Sequence, residues 1–508
     1  MNKSWFEDNR VAVARAGSAR YPVVPPFDPP ERYPELASLP GYPADQTDRT
    51  DQTDRTNRTY EAVREALALL FGAPDGPGWN PLRALVSPGD TVVLKPNFIK
   101  ECHETRPDEW EQVVTHGSII RAVCDYVLLA LGGRGRVVIC DAPQTDSSFA
   151  EICRVTGVAN LVDWYKAWSP VPVELLDLRR EEWEAKDDVI VRRTRLPGDP
   201  KGYAAVNVGA ASEFHGISPT HGFYGADYDI ETTNRHHRGD VHEYLLSRTV
   251  LDADVVINLP KLKTHKKTGL TAALKNLVGI NGDKNWLPHY VLGDPEHGGD
   301  QFPHGTVKTR FERVMMTQIK RVLYRSPAWL SHVFRPVKRI GKALLGDTHT
   351  IIRSGNWRGN DTTWRMTVDL NKCLFYYAGL AVAARGGAGI PDSALPNRRY
   401  LALVDAIIAG EGEGPLAPDA KPCGVILAGR NPVAVDTVCA WLMGFDWRKL
   451  QLLSGACASR ALPLAAFGPE DIVVASNAAE WNGMLPALEQ VKPFEFIPHF
   501  GWVGAIER

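Results

Sequence analysis

Thr91-Val-Val-Leu-Lys-Pro96, the stretch from Ser118 to Leu131, Gly132-Gly133 and Arg136-Val-Val-Ile-Cys-Asp141 form one passage: an apolar run, a helical stretch, a glycine turn and a second apolar run. Continuous apolar runs on either side of an amphipathic helix predict a βαβ unit, because a parallel strand covered on both faces has no side left for polar residues. The pattern recurs. Asp254-Val-Val-Ile-Asn-Leu259 leads into a helical stretch from Thr268 to Leu277, and Leu401-Ala-Leu-Val-Asp405 precedes Gly424-Val-Ile-Leu-Ala-Gly429 and a helix from Pro432 to Met443. Asp471-Ile-Val-Val-Ala475 reads as a further strand. The expected fold class is α/β, with parallel-stranded sheet or sheets and flanking helices, in two lobes with a basic helical insertion.

Working outward, residues 1–58 are rich in proline and then repeat Asp-Gln-Thr-Asp-Arg-Thr, with no apolar face to bury, so they read as a flexible leader. Helical spacing begins at Tyr60-Glu-Ala-Val-Arg-Glu-Ala-Leu-Ala-Leu-Leu-Phe71 and stops at Gly72. An α/β lobe with a lysine and histidine site is expected over 59–305, a basic insertion over 306–350 and a second α/β lobe over 351–508. Between residues 308 and 342 ten lysines and arginines stand against one acid, Glu312, interleaved with apolar residues. A basic amphipathic stretch of this kind suits an anionic membrane surface or packing on the body of the protein. No nucleic-acid recognition motif accompanies it, which argues against a nucleic-acid partner.

The 508 residues exceed one ordinary core, and a net charge of -2 with 44% hydrophobic and 23% charged residues excludes a whole-protein polyanion binder. No apolar run is long enough to span a bilayer, and the start lacks a signal-peptide core, so the expected location is cytoplasmic, with attachment to the inner membrane face through the basic segment. Eight scattered cysteines without a C-x-x-C pair predict no iron-sulfur or zinc site.

Ligands of open α/β sheets bind beyond the carboxyl ends of parallel strands, so the polar residues that follow each apolar run are the candidates. Lys95 and Asn97 follow the first run, Asp141 the second, Asn258, Lys261, Lys263 and His265 end or follow the third, and Asp405 with Gly410-Glu-Gly-Glu-Gly-Pro415 follows the fourth. The densest group runs from Pro260 to Asp283, where four lysines surround His265 and a short helix carries Lys275-Asn276. Such a concentration of donors at a strand-to-helix turn suits a small anionic ligand, although no phosphate-loop signature is present. Lys275 lies between leucines, and a partly buried lysine readily loses its proton, as a base or attachment point requires. The candidate catalytic residues are His265, Lys275 and His116. Lys95, Asn97, Asn258, Lys261, Lys263 and Asn276 are the candidate binding residues, and His289, Asp405, Glu411, Glu413 and Asp436 the candidates for a divalent metal. A solvated basic turn explains Lys266 and Lys267, and Lys275 less well, and a surface loop explains the Glu411 loop, without any chemistry.

Val93-Leu-Lys-Pro-Asn97, Asn258-Leu-Pro-Lys-Leu-Lys-Thr-His265, Thr271-Ala-Ala-Leu-Lys-Asn-Leu-Val-Gly279, Gly359-Asn-Asp-Thr-Thr-Trp364, Gly410-Glu-Gly-Glu-Gly-Pro415 and Asn431-Pro-Val-Ala-Val-Asp436 resemble, in order over residues 90–455, the blocks of the domain of unknown function family 362. That label implies no activity. His265, Gly269 and Lys275 also resemble, in their order, the lactate racemase N-terminal domain, in which a lysine tethers a nickel-pincer nucleotide. Lys95-Pro96-Asn97 and Asp141-Ala142-Pro143 depart from it, so the resemblance implies a shared scaffold and site location. Two functions are expected to compete. One is an enzyme of isomerase- or lyase-like or metal-dependent acid-base chemistry acting on an anion. The other is a non-catalytic scaffold held at a membrane by residues 308–342.

Overall fold

The computed structural model describes residues 4–42, 57–186, 189–227, 229–306, 309, 318, 351–386 and 398–508. The tandem repeat and nearly all of the basic segment 308–342 lie outside the described residues.

Eleven strands form one sheet. In chain order they are β1 (Arg10–Arg15), β2 (Thr91–Pro96), β3 (Arg136–Asp141), β4 (Val173–Asp177), β5 (Val255–Leu259), β6 (Lys261–His265), β7 (Gly269–Thr271), β8 (Arg399–Glu413), β9 (Ala417–Gly429), β10 (Val473–Ser476) and β11 (Gly483–Met484). Across the sheet the order is β11, β10, β1, β9, β8, β5, β2, β3, β4, with β6 paired to β8 and β7 to β6. The run β8-β5-β2-β3-β4 is parallel throughout. Residues of both expected lobes therefore share one sheet, joined where Val255–Asn258 pair with Arg399–Ala402.

Alternation along the strands explains why both faces are apolar. Val92, Leu94, Val137, Ile139, Val255 and Ile257 enter a core with α1 (Arg58–Phe71) and α2 (Gly117–Leu131). Val93, Val138, Cys140 and Val256 enter the opposite core with α4 (Thr363–Phe375) and α5 (Pro432–Met443). The caps match the sequence: Asn57 accepts from the Tyr60 N–H at the start of α1, and Gly132 ends α2 with φ +55°.

Three expectations need correction. Residues 10–15 are not leader: β1 pairs antiparallel with β9 and parallel with β10, in the interior of the sheet. Leu401–Asp405 and Gly424–Gly429 are not parallel neighbours but parts of a long antiparallel pair, because β8 continues through the glycine-rich segment to Glu413 before turning. The stretch from Thr268 to Leu277 is not one helix. Gly269, at φ +80°, opens the short strand β7, and the helix α3 is confined to Ala273–Asn276.

Candidate functional site

The carboxyl ends of β2, β3 and β5 lie side by side, which brings together polar residues far apart in the chain. Lys95 is fully buried, and its Nζ donates to Asp141 Oδ1 at 2.8 Å, to the Pro96 carbonyl at 2.8 Å and to Asn276 Oδ1 at 3.2 Å. Asp141 also accepts from the N–H groups of Phe98 and Ala142. Asn276 accepts from Asn97 Nδ2 at 2.9 Å and donates to Asn258 Oδ1 at 2.7 Å, and Asn258 in turn donates to the Ala273 carbonyl and the Tyr400 hydroxyl. Burial drags the Lys95 proton affinity down, and the Asp141 charge opposes it. Four of the expected binding residues thus knit strand ends to α3; of their amide oxygens, only Asn97 Oδ1 lacks a donor. Gly279 makes room for this pair: a Cβ there would stand 1.8 Å from Asp141 Oδ1 and 2.6 Å from Lys95 Nζ. Gly279→Ala is expected to cost about 1–3 kcal/mol, read from the urea midpoint, while alanine at open Gly78, where a Cβ meets nothing within 4 Å, should leave that midpoint closer to wild type.

A second buried knot forms where β6 meets β8. Lys261 Nζ lies 2.7 Å from Asp405 Oδ2 and donates to the Tyr21 hydroxyl at 2.6 Å; that hydroxyl donates to Asp405 Oδ1 at 2.5 Å. His116 belongs here. Its ring stacks between Tyr21 and Trp110, with centroids 4.1 Å and 5.2 Å away, and its Nδ1 accepts from the Ser118 N–H as the cap of α2. Burial, with Lys261 adding to it, holds the ring neutral. His116 and Lys261 therefore stand in a satisfied knot.

The central group is different in kind. Lys275 on α3 is 7% exposed, and among the described residues its amine makes no hydrogen bond or ion pair. Burial, reinforced by Lys284, pulls its pKa down to about 7. His265 and His289 lie within its electrostatic reach, and both imidazoles are held well below their usual range, first by burial and then by Lys275. Lys263, fully buried with its Nζ on the Val113 carbonyl, has its proton affinity lowered by burial, then by Lys261 and Lys275. The two rings are neutral in opposite tautomers. His265 Nδ1 accepts from the N–H groups of Lys267 and Thr268, which leaves the proton on Nε2; His289 Nδ1 faces the Leu287 carbonyl at 2.9 Å and must donate, which leaves Nε2 a free lone pair.

The expected metal carboxylates do not assemble. Asp436 accepts from the N–H groups of Ala273 and Leu274, so the start of α3 is already filled by the protein's own carboxylate, which burial pushes up to about 7. Asp405 is in the Lys261 knot. Glu411 pairs with Lys421 at 3.0 Å, and Glu413 accepts from the Phe500 N–H at 3.2 Å with its other oxygen 3.0 Å from His499 Nε2. The neighbouring glycines serve strand packing: Gly412 accepts from Thr264 Oγ1, and a Cβ on Gly414 would stand 2.0 Å from the Thr264 carbonyl. Among the described residues one group has metal-ligand spacing, Asp294, Glu296 and His297, and the last two of these are exposed.

Sequence reasoning missed Lys284. It is 8% exposed, reaches back to the Ala142 carbonyl at 2.8 Å just beyond β3, and has its pKa pulled down to about 8 by burial. Its place in Asp283-Lys284-Asn285 looks like an ordinary polar turn, and only the fold brings it to the strand ends. On its far side opens a cavity of about 310 Å³, whose lining includes Thr145, Arg179, Arg195 and Asp227.

The profile of the family described as "Domain of unknown function (DUF362)" matches residues 92–199 and 197–441. A thylakoid-associated protein of Synechocystis sp. is 59% identical over 34 residues, which is 7% of this chain and 11% of that protein. No helix among the described residues is long and apolar enough to cross a membrane.

Proposed function

Because this chain belongs to the DUF362 family, a name that carries no activity, we propose its function from the chemistry of the site: an enzyme that moves protons on a small anionic molecule, or on the anionic head of a larger one. The observation that carries this is the nearly buried Lys275 side chain, whose amine has no acidic partner among the described residues while Lys95 and Lys261 have theirs. Burying an unpaired amine is costly, and a ligand anion would supply the missing charge. Lys275 is then the base or covalent anchor, and Lys263 adds to the local positive field. His289, with a lone pair on Nε2, takes a proton and, as the imidazolium so formed, returns it; His265, neutral with its proton on Nε2, donates a hydrogen bond to the oxyanion that develops. Removing a proton and returning it at another atom is the balance an isomerisation needs. Lys95, Asn97, Asn258 and Asn276 hold α3 in place.

Elemental analysis and native mass spectrometry of freshly purified protein, with Lys275→Met alongside, test this reading. A bound ion, anion or covalently held group on the wild type that is missing from the variant is the expected result. A bare wild-type mass, together with inorganic phosphate binding unaffected by the substitution, overturns it.

A second reading is favoured by the thylakoid-associated relative and by the charge of residues 308–342. Under it the protein is peripheral to an anionic membrane. Co-sedimentation with phosphatidylserine vesicles that disappears on deleting 308–342, and weakens steeply with salt, is expected. Equal sedimentation of the deleted chain removes this reading.

A further inference from the structure

The cavity that Lys284 lines lies near the carboxyl end of β3, where that residue reaches the Ala142 carbonyl, and Lys275, His265 and His289 are not in its lining. Its floor is formed by Lys284 and by the half-buried Asp227, whose carboxylate accepts from Thr145 Oγ1 at 2.7 Å. Its rim carries the exposed Arg180 and Arg195, side by side at the open end of the strand pair Glu181–Lys186 and Val189–Arg195. Arg180 is loosely paired with Asp283 at 3.4 Å, and among the described residues Arg195 makes no side-chain hydrogen bond or ion pair.

The lining also holds Glu181, Asp227 and Asp283, and Arg179 is spent on Asp177 and Glu182, so among the described residues Arg195 is the lining arginine without a carboxylate of its own. Asp283 also accepts from the N–H and side-chain amide of Asn285, and Glu181 from Trp183 Nε1. Asp227 is pushed by burial up to about 7, so near neutrality it carries its proton part of the time and can donate as well as accept. A concave space near 300 Å³ with a few convergent polar groups is of the size and kind that holds a small molecule. Two guanidinium groups at the rim suit a planar or tetrahedral oxyanion, and an ammonium beside a carboxyl on the floor suits a hydroxyl or amine next to it.

We propose that this cavity is a second binding site, separate from the Lys275 group, for a small molecule that bears an oxyanion, a phosphate ester or a carboxylate, next to a hydroxyl or amine. Arg195 and Arg180 take the oxyanion, and Asp227 with Lys284 takes the neighbouring polar group.

Calorimetric titration of the full chain with inorganic phosphate, and separately with glycolate, tests the site. Wild type is expected to bind at two sites. Arg195→Ala, on an exposed strand end, should keep the wild-type melting temperature and weaken one site about ten- to hundred-fold, and Arg180→Ala should weaken the same site. Lys275→Met should leave that site untouched and remove the other. Preference between phosphate and glycolate tells an ester from a carboxylate. A single site that responds to Lys275→Met and ignores both arginines overturns the second site while keeping the first. No binding of either probe at millimolar concentration overturns it as well.

Discussion

Lys275→Met is expected to give a protein that is more stable than wild type at pH 6 and without function. In the folded chain the Lys275 proton affinity falls from 10.5 to about 7, a change worth up to roughly 5 kcal/mol against the folded state. The sign follows from proton counts: between about 7 and 10.5 the unfolded chain holds this proton and the folded chain does not, so the stability of wild type rises with pH across that window. Below it both states are protonated and the full penalty remains. Methionine keeps the volume and removes the charge, so the gain should be largest at pH 6, about 1–4 kcal/mol after relaxation, and should shrink to little by pH 10. Chemical denaturation of both proteins at the two pH values measures it. A variant that is less stable than wild type at pH 6 would show that the amine has a partner in the folded chain. The accompanying loss of anion or group retention is what a site held at the expense of stability predicts.

Asp141→Ala is expected to be among the most damaging single changes outside the helices. It strands the Lys95 ammonium, which is fully buried, and orphans the N–H of Phe98 beyond the end of β2, while the Ala142 N–H keeps the Gly279 carbonyl. Breaking one half of a buried pair costs about 3–5 kcal/mol, and the urea midpoint should fall accordingly. Adding Lys95→Met to Asp141→Ala should recover part of that loss, since no ammonium is then left unpaired. If the double variant is worse than the single one, the damage comes from the backbone donor and not from the amine.

The parallel strands were legible because both of their faces are buried, and the resulting runs, such as Thr91–Pro96 and Arg136–Asp141, look like nothing else. Lys275 was legible for a related reason, a cation set between leucines. What stayed hidden depends on distant partners. Arg10-Val-Ala-Val-Ala-Arg15 is a strand only because β9 and β10 flank it, and prolines nearby made it look like leader. The glycines of Gly410-Glu-Gly-Glu-Gly seemed to offer a ligand close approach, but what they admit is the backbone of β6; the two glutamates are spent on Lys421 and the Phe500 N–H. Nothing in the spacing of Lys95 and Asp141, or of Lys261, Asp405 and Tyr21, announces that they neutralise one another.

The place of β1 has a consequence for how the chain matures. Its register partners are Val425–Gly429 and Val473–Ser476, so this strand stays unpaired until segments far downstream in the chain have been made. Contacts between such remote segments close slowly, because the intervening loop must be gathered first. Until then Arg10–Arg15 and the exposed margin of β9 are open to pairing with a neighbouring nascent chain, and a cell that makes this protein quickly should need holdase chaperones to keep it from aggregating.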